Sequence, residues 1–446
     1  MTVAKRRVAI MGAAGRDFHN FLCVFRDDPL VEVVAFTTAQ IPGIAARRFP
    51  ASLAGSRYPD GIAIIDEQFL EQLICERAID EVVFSYSDLS HLDTMHAASR
   101  VLASGANFTL LGTRNTMLPA QKPVIAVSAV RTGCGKSQVA RWLVEQIKSL
   151  GLDCAVIRHP MPYGDLQAQR LQRFASRADL DLARCTIEER EEYEPHIERG
   201  AIVFAGVDYA AILALAQQEC EVIVWDGGNN DFPFVRPDLH IVLLDPMRAG
   251  HEQAYHPGET VLRMADIALI AKADAASREQ CAQLIDSVRR LNPAATIVRG
   301  ASPVTLEQEQ RLRGQRVLVV EDGPSITHGG MAHGAGWRAA ISAGAIIIDP
   351  RPWAGPELQA TYECYPHIGA VLPALGYNDA QLQELRETIE RCDAEFVVSG
   401  TPIDLATLLK VRKPVLRARY DYAELDHPGL GGLLRNFLRE RGLLHG

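Results

Sequence analysis

Short apolar runs alternate with longer stretches in which hydrophobic residues recur every three or four positions. The first runs are RRVAIMG, VEVVAFT, GIAIID, DEVVFSYS and FTLLG, and between them lie helix-patterned stretches such as EQFLEQLICERA and HLDTMHAASRVLASG. Strands of this kind alternating with amphipathic helices predict a parallel sheet covered by helices. Pro119 and Pro123 interrupt the pattern, which places a linker at residues 118–122. A second series runs from KPVIAVSAV through LDCAVIRHP, CEVIVWDGG, DLHIVLLDP and ADIALIAKAD to ATIVRGASP. A third comprises RVLVVEDGP, AGAIIIDPRP, AEFVVSGTP and KPVLRARYDY. The expected fold is α/β: three Rossmann-like parallel-sheet units in series, at residues 1–118, 122–305 and 314–446.

The middle unit opens with VIAVSAVRTGCGKSQVARWLVEQIKSLG, a buried strand, a Gly-containing loop and an amphipathic helix. This is the layout of a P-loop NTPase domain. Gly133 and Gly135 let the backbone curl around phosphate oxygens, and the helix start adds its positive dipole end. Residues Arg131, Thr132, Gly133, Cys134, Gly135, Lys136, Ser137 and Gln138 are therefore expected to line the nucleotide. Lys136 would reach the β- and γ-phosphates and Ser137 would ligate Mg2+. Val130 stands where the usual pattern has its first Gly; a non-Gly residue there is similar to the P-loop branch of dethiobiotin synthetases and metal-insertion GTPases.

An acid at the end of a neighbouring strand should accompany this loop. CEVIVWDGGNND supplies Asp226 as the second magnesium ligand, with Asp231 a weaker alternative. The base is less determined. LIAKADAA places Lys272 and Asp274 as in the guanine-reading N-K-x-D motif, but Ala271 replaces the Asn, and Asn229 occupies the glycine position of D-x-x-G. ATP is favoured, with GTP open.

Candidate substrate residues cluster after strands. RHPMPYGDL offers Arg158, His159, Tyr163 and Asp165; DPMRAGHE offers Arg248 and His251, the arginine matching phosphate or carboxylate with its planar fork. VEDGPSITHGGMAHGAG carries His328 and His333 in a Gly-rich loop whose N–H groups could form an anion nest. CTIEEREEYEPHIERG reads as a solvated helix, with Glu188, Glu192 and His196 as site residues in the alternative. At the start, Gly12 and Gly15 form G-x-x-G, with Arg16, Asp17 and His19 beside it. Without the full dinucleotide fingerprint or a ribose-binding acid after VEVVAFTT, NAD is disfavoured.

Composition narrows the partners. With 48% hydrophobic and 23% charged residues, the 446-residue chain has ample core. A net charge of -9 and pI of about 5.8 disfavour nucleic acid and anionic membranes as partners, though not a small anionic substrate. No run approaches the ~20 apolar residues of a membrane span. Nine scattered cysteines without a C-x-x-C pair, and no secretory signal pattern, predict reduced thiols and a cytoplasmic protein.

Across nearly its whole length the chain resembles the cyclic 2,3-diphosphoglycerate synthetases, also described as predicted GTPases. GAAGRDFHNF, AVRTGCGKSQ, RHPMPYGDL, EEREEYEPHI, WDGGNNDFPF, VEDGPSITHGGMAHGAG and YPHIGAVLPALGY carry the resemblance. It implies ATP-driven closure of two substrate phosphates into a cyclic pyrophosphate. Lys136, Asp226, Arg158 and His159 are then the catalytic candidates. Arg158, Asp165, Arg248, His251 and His328 are the substrate-binding ones, with Arg131, Arg158 and Arg248 converging on the polyanion. A regulatory or metal-delivery GTPase is the competing reading, and a non-catalytic nucleotide sensor a third. P-loop domains of this branch often pair across their nucleotide sites, which predicts a homo-oligomer, in the simplest case a dimer.

Overall fold

The computed structural model describes residues 4–39, 47–158, 164–228, 231–327, 329–376 and 379–444. Three large sheets organise the chain. The first orders its strands Arg48–Phe49, Ile62–Asp66, Val31–Thr38, Arg6–Met11, Glu81–Phe84 and Asn107–Leu110, all parallel except the antiparallel Arg48–Phe49.

The nine-stranded second sheet centres on Val124–Ala129, flanked by Val222–Asp226 and Leu239–Leu244. Every residue of these three strands is buried, because helices cover both faces. That is why they read as continuous apolar runs rather than alternating ones. Where successive connections leave Val124–Ala129 to opposite sides, a crevice opens at the carboxyl ends. The P-loop and Asp226 stand at that crevice.

In the third sheet, Arg316–Asp322 pairs in parallel with Phe396–Ser399, Ile346–Ile347 and Leu372–Ala374. Val304–Leu306 joins antiparallel to Val415–Tyr420 at the far edge.

The expected boundaries need correction at two places. Residues 423–424 leave the third unit and pair antiparallel with Thr296–Ala301 of the second sheet. Helix Leu430–Glu440 then buries Leu430, Leu434, Phe437 and Leu438 in the core of the P-loop unit. The chain returns because this strongly one-sided helix covers an apolar face of that sheet. The segment expected as a linker is also stitched down: Leu118 N donates to Phe234 O (2.8 Å), and Leu118 O accepts from Arg236 N (2.9 Å).

A second correction concerns helix Ile187–Ile197. A reciprocal Thr186–Glu189 capping box starts it, as the sequence allows. It is not solvated: Glu188, Glu189, Glu191, Glu194 and His196 are all buried. The helix is wedged between the second and third sheets, and most of its polar side chains meet partners there. Ile187 N donates to Gly376 O (3.2 Å), Glu194 pairs with Arg177 (2.9 Å), and Thr401 Oγ1 donates to Glu191 (2.7 Å).

The first unit docks on the second through charge and ring contacts. Arg16 forms a buried ion pair with Asp231 and lies 4.3 Å over the Phe232 ring, while His19 stacks on Phe234 at 4.2 Å. Strands Leu89–Ser90 and Tyr255–His256 pair across the same junction.

Candidate nucleotide site and the cleft it faces

Gly133 and Gly135 adopt φ of 82° and 99°, a left-handed region in which a side chain would be strained. The loop therefore curls as its glycines predict. Val130 needs no glycine, since its N–H stays in the sheet, donating to Leu243 O at 3.1 Å. Two cations hold the loop: Arg248 donates to Thr132 O (2.9 Å) and Lys272 Nζ to Gly133 O (2.7 Å). Both also pair with Asp245, at 3.2 and 3.0 Å.

Asp226 is the centre of a buried charge cluster. Its Oδ1 accepts from Lys136 Nζ at 3.0 Å; its Oδ2 meets Arg158 Nη1 at 2.7 Å and His196 Nε2 at 3.0 Å. Arg158 is completed by an ion pair with Glu192. Burial pushes the Asp226 carboxyl up, but Arg158 and then Lys136 outweigh it and hold the group well below the usual range. Burial, seconded by Arg158, lowers Lys136 to about 8 against the pull of Asp226. Burial also lowers His196, so its neutral ring donates Nε2–H to Asp226, and Nδ1 has no partner among the described residues.

In front of the loop lies a cleft of about 240 Å³, with Arg131, Thr132, Gly133, Gly135, Lys136, Ser137, Gln138 and Lys272 on one side. The opposite wall comes from the third unit: Glu321, Asp322, Ser325, His333, Arg338 and Tyr420, with Glu192 at the junction. The carboxyl ends of Val124–Ala129 and Arg316–Asp322 thus face one space. The Gly-rich loop of the third unit does form a nest, but an internal carboxylate fills it. Glu321 accepts from Gly334 N (3.1 Å), Gly336 N (3.2 Å) and Trp337 N (2.7 Å). Burial raises Glu321 to about 7 despite those three donors.

The expected residues divide. The loop residues and Lys136 with Asp226 come together, although Cys134 is buried beneath the loop. Lys272 lines the cleft; Asp274 sits behind it, accepting from Ser302 N (3.0 Å), and Ser302 reaches Gln138 (2.5 Å). Asp165 is exposed and caps its own turn through Gln167 N (2.8 Å), away from the cleft. Arg248 and His251 are behind the loop rather than in the cleft, His251 holding Arg131 at 3.1 Å. The three arginines do not converge. Arg131 pairs with Asp88 (2.6 Å), Arg248 with Asp245, and Arg158 with Asp226 and Glu192, because each is needed as a counter-ion where it stands. His159, Tyr163 and His328 lie outside the described residues.

Ser137 lines the cleft and fits a magnesium ligand. Asp226 does not fit as arranged, since both oxygens are engaged and the side chain is fully buried. The sequence reading passed over Glu191, Glu321 and Asp322. Two adjacent acids ending an apolar strand, VLVVED, were the available signal.

The chain is 53% identical over 436 residues to the arginine synthetase ArcE of Thermococcus kodakarensis, covering 98% of this chain and 97% of that protein. The chain belongs to the arginine synthetase ArcE family. The likeness to cyclic 2,3-diphosphoglycerate synthetases stays a resemblance. No family model matches. Among solved structures, LpxK of Aquifex aeolicus in complex with ATP aligns at TM-score 0.45 and 12% identity, over 72% of this chain and 90% of that one. The hydrogenase maturation factor HypB of Archaeoglobus fulgidus aligns at 0.25 and 16%, over 40% and 80%. No described helix is long and apolar enough to cross a membrane, and all nine cysteines are free.

Proposed function

We propose that the chain is an ATP-dependent synthetase that forms arginine. The observation that carries this reading is the cleft itself: a phosphate-binding loop faces an acidic wall of Glu192, Glu321 and Asp322. The same wall carries Arg338 and His333 beside those acids, so it suits a zwitterion that ends as a cation better than a polyanion. A diphosphoglycerate would bring two phosphates and a carboxylate, and the arginines expected to receive them are already paired.

The product's chemistry defines the reaction. Arginine's terminal nitrogens carry no oxygen, so γ-phosphoryl transfer needs an oxygen that is later lost. The ureido amino acid citrulline has that oxygen in place of one nitrogen. Its oxygen attacks the γ-phosphorus and ADP leaves. Ammonia then adds to the ureido carbon, and the C–O bond breaks to release phosphate. Lys136 would leave Asp226 for the β- and γ-phosphates, stabilising the charge of the transferring group. Arg338 and His333 stand on the wall where an amino-acid carboxylate would be held. Magnesium, carried with the nucleotide, would supply charge neutralisation at Ser137.

The test is direct. Enzyme, MgATP, citrulline and ammonium should give arginine, ADP and phosphate; 2,3-diphosphoglycerate in place of the last two substrates should give no cyclic pyrophosphate. Cyclic product, with no arginine, would reverse the assignment. Running the assay with GTP settles the base.

A further inference from the structure

We propose that Glu191 and Asp322, meeting across the junction of the second and third units, accept the proton that ammonia loses as it displaces phosphate. The inference rests on the arginine-forming reading and assigns a task within it.

Asp322 lines the cleft at the end of strand Arg316–Asp322, and Glu191 lies behind it on helix Ile187–Ile197. Each carboxyl is fixed on its outer side by a neutral hydroxyl: Thr401 Oγ1 donates to Glu191 Oε1 (2.7 Å) and Ser325 Oγ to Asp322 Oδ2 (2.5 Å). Glu191 is buried, and its Oε2 receives no donor from another residue. Neither acid has an ion pair among the described residues. The groups facing them are Glu188, Glu321, Tyr420 and Arg141, and the Arg141 guanidinium donates to Tyr420 O at 3.3 Å.

Two carboxyls in contact, Glu191 buried and Asp322 half-buried at the cleft, without a bonded cation, disfavour ionising together and so share one proton. Burial and then each other's charge raise Glu191; burial raises Asp322. A fold gains nothing from unpaired buried acids, which cost stability. A base at the cleft does gain: one ionised carboxylate, kept basic, with its partner ready to share the incoming proton.

The step balances. The nitrogen lone pair forms the C–N bond at the phosphorylated ureido carbon. One N–H proton passes to the pair and on to the departing oxygen, the C–O electrons leave with hydrogen phosphate, and the guanidinium remains opposite the acidic wall.

Phosphoryl transfer precedes this step, so the two halves separate. In a single turnover with MgATP and citrulline but no ammonium, wild type and Glu191→Gln should both give a citrulline-dependent burst of ADP, while Asp322→Asn, which also alters the substrate wall, is read by its arginine formation alone. That burst also reports that Glu191→Gln is folded. With ammonium, arginine formation should fall by about 10²–10⁴-fold in both variants. The acid limb of the wild-type pH–rate profile should flatten in Glu191→Gln. Equal loss of burst and arginine formation, or undiminished arginine formation, overturns the proposal. Arginine without a burst in wild type overturns this assignment alone, and neither burst nor arginine in wild type overturns the arginine-forming reading and the assignment with it.

Discussion

Asp226 neutralises Lys136 while the nucleotide is away, and this makes Asp226→Asn an informative perturbation. The substitution keeps shape and removes one charge from a fully buried group. Arg158 retains Glu192, so the cation left without a partner is Lys136. Breaking a buried pair by removing one member costs about 3–5 kcal/mol. For a unit of ~150–250 residues, each kcal/mol moves Tm by roughly 2–4 °C, giving a fall of roughly 6–20 °C. Bound nucleotide should return most of that loss, because its phosphates supply the missing negative charge to Lys136. Thermal unfolding followed by fluorescence, with and without saturating MgATP, measures both terms. The ATP-induced rise in Tm should be several degrees larger in Asp226→Asn than in wild type. An equal fall with and without nucleotide would mean that Lys136 does not change partners on binding, and the reasoning would fail.

Three other outcomes follow from the same geometry. Because burial depresses Lys136 to about 8 in the free enzyme, the charged form needed for phosphate is lost as pH rises; ATP affinity by calorimetry should weaken about tenfold between pH 7 and 9. The sign for stability is opposite: a lysine depressed on folding favours the folded state above its unfolded pKa and loses that contribution as pH falls through about 8. Gly400→Ala would drive a Cβ into the Glu321 carboxylate, so it should cost about 1–3 kcal/mol in urea unfolding and weaken catalysis; an unchanged midpoint would contradict the packing. Arg16→Ala strands the buried Asp231 carboxylate and should cost about 3–5 kcal/mol, with Arg16→Met/Asp231→Asn recovering much of it; additive losses in that cycle would refute the pairing.

What was legible in the sequence was what local pattern controls. The strands of the second sheet announce themselves as apolar runs, and the loop needs positive φ at Gly133 and Gly135, which only those residues give without strain. Charge misled where burial depends on tertiary partners. EEREEYEPHI has the composition of a solvated helix; only the third unit and Arg158, Arg177 and Asp226 make its burial tolerable. The arginines were misplaced for the same reason, since residue type shows that a cation is present but not which acid it serves. Residues 423–444 were assigned to the wrong unit because an amphipathic helix does not reveal which sheet it covers.

The two walls of the cleft are neutralised differently. Each cation on the loop side has an acid behind it: Arg131 has Asp88, Lys136 has Asp226, and Lys272 has Asp245. One of those acids, Asp88, belongs to the first unit, held at φ 64° with its N–H donated to His256 O (2.8 Å). The loop's cations are therefore balanced by the protein's own acids, so a nucleotide would bind by exchanging partners rather than by filling an uncompensated positive site. On the other wall, Glu321 is balanced only by backbone dipoles, and the Glu191–Asp322 pair only by hydroxyls and a shared proton. Among the described residues no cation of the loop pairs with them. Arg338 and His333 stand on the same wall, so on the arginine-forming reading the substrate this asymmetry favours carries both a carboxylate for them and a nitrogen cation for the acids.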